Sequence, residues 1–177
     1  MTQNETTGID SVTQMIMYYF ISRLNGVLGH THLQKLLFLT DLLATQRFGE
    51  PITKMNYVRY SHGPYSKNLN DYIQKLVTSE LISEKSFPYY KDPQTSYYRL
   101  YDLKKADIKT QLVKTIGAEK TLLVDEVVQS YGNKSLQQVL DFVYSLEAVK
   151  DAKFDSPIDM IKEYGEKYTF EEEDIPF

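Results

Sequence analysis

The 177-residue chain has no cysteine. Disulfides, thiol catalysis and thiolate metal sites are therefore excluded, and the composition fits a reducing compartment. Only eight glycines are spread along the chain. None belongs to a Walker loop, a dinucleotide-binding cluster or a G-x-S-x-G elbow, and H-E-x-x-H is missing as well. Long apolar runs are missing too: the longest wholly apolar stretch, Met15 to Ile21, falls far short of the ~20 residues that cross a bilayer, and the first eight residues are polar. A cytoplasmic protein with no membrane contact is expected. The net charge of −4 is carried by the end of the chain, where residues 151–177 hold nine acidic and three basic side chains and leave 17 basic against 15 acidic before them. A body so close to neutral lacks the electrostatic footprint that dominates nucleic-acid affinity, which disfavours nucleic acid as a partner.

What is present is ordinary globular material. A hydrophobic share of 42% and a charged share of 25% rule out wholesale disorder and suit one compact domain, expected over 1–150, with 151–177 as an acidic C-terminal extension. Apolar residues at helical spacing predict a first helix over 12–24, capped by Asp10 or Ser11. A second helix starts near Thr31, which with Gln34 forms a capping-box pattern, and stops at Gly49-Glu50-Pro51. In that helix Gln34, Asp41 and Thr45 share one narrow polar stripe, whereas Leu33, Leu36, Leu37, Phe38, Leu39, Leu42 and Leu43 cover the rest, so it belongs in the middle of a bundle. Lys35 falls inside the apolar arc; it must snorkel to solvent, pair with a carboxylate or meet a partner, and snorkelling is the leading expectation.

Residues 52–61 read as a short strand or an irregular arm. Ser66 is the expected cap of a helix over 67–79, followed by strand-like runs at 81–87 and 97–103, with a turn signal at Asp92-Pro93. Helices follow at 104–115, 118–131 and 136–147, the last capped by Ser135, with a short one at 157–165. The expected class is mainly α with a small β-hairpin, laid out as a winged-helix-like helical domain.

The run Leu33-Gln34-Lys35-Leu36-Leu37, followed by the aromatic-rich Tyr57, Tyr60 and His62-Gly63-Pro64-Tyr65-Ser66, resembles the SocA-like or Panacea family of phage-associated antitoxin-domain proteins. Many relatives have an aliphatic residue after Gly-Pro and no histidine before it, so Tyr65 and His62 depart from the pattern. The resemblance implies a non-enzymatic protein-binding module without a cofactor, which neutralises a partner toxin by direct binding or, in some members, delivers it to a protease. It also implies that the turn bearing Lys35 comes near the Gly-Pro loop, which makes Lys35, Tyr60, His62, Gly63, Pro64 and Tyr65 the candidate partner-binding residues.

Other residues carry weaker chemistry. His30 and His32 point in different directions from a helix start with no third ligand nearby, so loop and capping roles are expected instead of a metal site. His62 lacks a specified catalytic partner, and Glu171-Glu172-Glu173-Asp174 reads as a solvated end. Nine of the 15 tyrosines fall between residues 57 and 101; a hairpin buries only about half of its side chains, so several should be exposed as interface anchors or else cover the helical core. The alternative to a protein-binding module is a winged-helix DNA-binding regulator that reads bases with Lys67, Asn68, Asn70, Gln74 and Lys75.

Overall fold

The computed structural model describes residues 11–24, 28–89, 92–103 and 108–160. Helix α1 (Val12–Arg23) starts at Ser11, whose side chain accepts from Gln14 N, and α2 (His30–Phe48) follows the two-residue strand β1 (Leu28–Gly29). Next come β2 (Val58–Tyr60), β3 (Gly63–Tyr65) and α3 (Leu69–Thr78), then the long pair β4 (Ile82–Tyr89) and β5 (Asp92–Leu103). Helices α4 (Lys109–Ile116) and α5 (Ala118–Val127), a π turn over Val128–Gly132, α6 (Leu136–Ser145) and α7 (Glu147–Asp151) complete the described chain. The sheets are antiparallel, with order β1-β5-β4 in one and β2-β3 in the other. The mainly helical class with a small β component thus stands. Helices followed by a hairpin match the element order of a winged helix, but order alone does not establish that fold.

Two helices form the centre. Leu33, Leu36, Leu37, Phe38 and Leu39 of α2 are all buried, as its apolar circumference requires, and α1 is buried from Thr13 to Ile21. The polar stripe of α2 does not face water: Gln34, Asp41 and Thr45 are buried as well. Asp41 accepts from Ile52 N at 3.0 Å, Thr53 N at 2.7 Å, Thr53 Oγ1 and Tyr57 OH at 3.1 Å. One carboxylate therefore fixes the irregular arm 52–57, and Tyr57 packs edge-on against Phe38 with ring centroids 5.2 Å apart. Burial pushes the Asp41 carboxyl up to about 6, opposed by the hydrogen bonds it accepts.

Several local expectations change. Helix α2 starts one residue before Thr31, with Gly29 at its cap and no side-chain cap bond, because Gln34 is turned inward instead of back to the helix start. Helix α3 starts at Leu69, after Asn68; Ser66 is buried, with its hydroxyl 3.8 Å from Met55 Sδ. Asp92 and Pro93 lie in β5 and not in a turn, since Tyr89 pairs with Asp92; proline is tolerated near a strand's first residue. Ser135 caps α6 through a full capping box with Gln138, but Leu136, expected in its core stripe, is 39% exposed. The helix expected over 157–165 and the acidic run 171–174 lie largely or wholly outside the described residues. Residues just past 150 are tied to the body, for Val58 bridges Pro157 and Ile158 N donates to Tyr57 O at 2.9 Å.

Candidate functional site

The β2–β3 hairpin is held from three sides. Val58 pairs with Tyr65, Arg59 with Pro64 and Tyr60 with Gly63, so Ser61 and His62 form a two-residue turn. Gly63 has φ +80, a left-handed conformation that side chains with a Cβ rarely adopt. Beneath the hairpin, Lys35 Nζ donates to the Pro64 carbonyl at 2.6 Å and Gln34 Nε2 to the Ser66 carbonyl at 3.3 Å. Two neighbouring polar side chains of α2 thus grip the carbonyls on either side of Tyr65. From α6, Tyr144 OH donates to the Ser61 carbonyl at 2.9 Å, and the free edge of β2 is taken by Arg59 N donating to Ser156 O and Asp155 N donating to Arg59 O.

The expected candidates meet here, in two tiers. Lys35 is 1% exposed, so the expectation that it snorkels to solvent is overturned: its ammonium turns inward to a backbone carbonyl that the hairpin would otherwise leave unpaired. It is not a surface contact. Gly63 and Pro64 are buried too, while Tyr60 is 43% exposed, His62 exposed and Tyr65 half-buried. Tyr60 lies between Tyr65, 5.5 Å away by ring centroids, and Phe154, stacked at 5.0 Å. Burial, with the Arg59 guanidinium adding to it, holds the Lys35 amine down at about 7.

A family model described as antitoxin SocA-like, Panacea domain, matches residues 33–148. The chain belongs to this family. In this Panacea domain the L-Q-K-L run and the Gly-Pro segment are the two halves of one contact, because Gln34 and Lys35 bind the segment that Gly63 and Pro64 open. No curated protein and no solved structure matches the chain.

The remaining candidates are placed elsewhere. His30 Nδ1 lies 2.7 Å from Tyr101 OH and His32 Nε2 lies 3.3 Å from the Tyr131 carbonyl, so the two rings do serve different neighbours. Among the described residues no group of His, Asp and Glu is arranged to hold a metal, and His62 has no hydrogen-bonding partner that would orient its ring for proton transfer. Of the tyrosines between 57 and 101 whose side chains are described, Tyr57 and Tyr101 are buried, Tyr65 and Tyr72 half-buried and Tyr60 exposed. Arg59, Tyr144 and Phe154 were not legible as site residues. Arg59 stands beside Tyr60 in the motif region, whereas Tyr144 and Phe154 lie about 80 and 90 residues away in sequence and reach the hairpin only through folding. No helix among the described residues is long and apolar enough to cross a membrane.

Proposed function

We propose that this Panacea domain is a non-enzymatic module that neutralises a partner toxin by direct binding, and that the β2–β3 hairpin carries the contact. The observation that supports the reading is the double grip of Gln34 and Lys35 on the hairpin backbone, above which Tyr60, His62 and Tyr65 stand out. A backbone held in advance loses little freedom on binding, and tyrosines add large contact area at low entropy cost. Antitoxin-type family membership fits the same role, with delivery of the toxin to a protease as a variant of it. The comparisons give no support to the DNA-binding alternative.

The test is co-expression with the protein encoded next to it, scored by growth rescue and by isothermal titration of the purified pair. Rescue with a 1:1 complex that Tyr65→Ala weakens agrees with the proposal. Failure to bind that neighbour, or binding insensitive to every hairpin substitution, contradicts it.

A further inference from the structure

Arg59 on the hairpin is a cation that no described carboxylate pairs with. Arg59 donates through Nε to the Val149 carbonyl at 3.2 Å and through Nη1 to the Tyr60 carbonyl, and its guanidinium lies 5.1 Å from the Tyr144 ring centroid. Its Nη2 has no partner among the described residues. Neither Arg59 nor Lys35 beneath it forms an ion pair with a described carboxylate, whereas Arg47, Lys109 and Lys120 are paired with Glu126, Asp125 and Glu50. The bordering segment 147–159 exposes Glu147, Asp151, Asp155 and Asp159 against Lys150 and Lys153, but none of these carboxylates forms an ion pair with Arg59.

Beside this cation runs an aromatic ledge. Phe154 is 63% exposed and stacks on Tyr60, which touches Tyr65 in turn. The N–H groups of Nη2 suit a carboxylate oxygen, and an exposed aromatic pair suits an apolar side chain next to it. A nucleic-acid backbone needs a longer run of cations than Arg59 and the buried Lys35 supply.

We propose that the ledge receives an acidic segment of the protein partner, with one carboxylate on Arg59 Nη2 and a neighbouring apolar side chain across Tyr60 and Phe154. This rests on the hairpin being the partner surface and adds the chemistry of what binds there. Lys35 contributes charge from below without contact, since it is buried.

The probe is the capped hexapeptide Glu-Glu-Leu-Phe-Glu-Glu, titrated into the full-length, isotope-labelled chain and followed by amide chemical shifts, beside a counterpart with glutamine for every glutamate. A chain with Glu171→Gln, Glu172→Gln, Glu173→Gln and Asp174→Asn is titrated in parallel, so that its own carboxylates do not compete. The acidic peptide should move the amides of residues 58–65, bind at least about fivefold more tightly than its counterpart and weaken from low to high salt. Arg59→Gln should lose most of that preference and Arg59→Lys should keep part of it; the salt series on the unsubstituted chain covers the case of a variant that fails to fold. Equal binding of both peptides, with the hairpin amides still moving, overturns the carboxylate claim and leaves the hairpin reading in place. Shifts confined to other surfaces overturn both. No shift in either chain up to about 2 mM peptide, the limit of weak recognition, overturns the proposal.

Discussion

Lys35 Nζ lies 2.6 Å from the Pro64 carbonyl, a contact between the middle of the central helix and the turn of a hairpin 29 residues later. An ammonium has three N–H donors, and only this one bond serves it among the described residues. It sits under Gly63, with Val143 and Tyr144 of α6 at the same position. The side chain therefore joins α2, the hairpin and α6 at a single point.

That placement predicts a pH dependence. The Lys35 amine is held at about 7 in the folded chain, whereas an unfolded lysine titrates near about 10.4. Between those values the unfolded chain binds more protons, so the stability this group contributes is fully present above the unfolded value and is lost as pH falls through about 7. Among the described residues the charged group facing it is Arg59 on β2. Relative to Lys35→Met, the natural chain should gain on the order of 2–4 kcal/mol between pH 7 and 10. Urea midpoints of the two proteins at both pH values measure it, and parallel pH profiles would count against it.

Loss of the Asp41 carboxylate should free the arm at 52–57. Asp41→Ala strands the Ile52 and Thr53 N–H groups that now donate to it, a loss on the order of 3 kcal/mol or more. Hydrogen exchange at the Thr53 amide should accelerate more than exchange in α1. Unchanged protection at Thr53 would show that the arm is held by something else.

Leu37 is fully buried in α2, and Leu37→Ala should cost about 2–5 kcal/mol by leaving a cavity. Chemical denaturation checks this. A loss below about 0.5 kcal/mol, the size of an ordinary surface change, would place α2 at the periphery.

For the complex, Tyr65→Ala should weaken binding of the cognate protein by about 1 kcal/mol or more, as an anchor residue does. Lys35→Ala should do the same through the hairpin it positions, not by contact. Lys67→Ala and Lys75→Ala, exposed on the α3 segment, should change it little. Isothermal titration giving the reverse order with all variants folded would move the interface to α3.

Gly63→Ala should destabilise the chain although there is room for the methyl group, whose nearest neighbour would be Val143 Cγ1 at 3.6 Å. The cost arises from φ +80, a conformation disfavoured by about 1–2 kcal/mol for a residue with a Cβ. A thermal midpoint equal to that of the natural chain would refute it.

Much of the fold was written locally. The apolar circumference of α2, the left-handed Gly49 at its end and the Ser135 capping box depend on residues within a few positions of one another, so periodicity and capping chemistry reveal them. The motif pair marked the family and the neighbourhood of the candidate site. What the sequence by itself could not determine is where polar groups turn once water is gone. Gln34 and Ser66 look like helix caps locally, but a buried carbonyl needs a donor, and the packing of α2 against the hairpin directs Gln34 to Ser66 and Lys35 to Pro64. Tyr144 and Phe154 reach the same hairpin from distant parts of the chain. Only the tertiary structure decided these pairings, because their partners are brought together by packing and not by spacing along the chain.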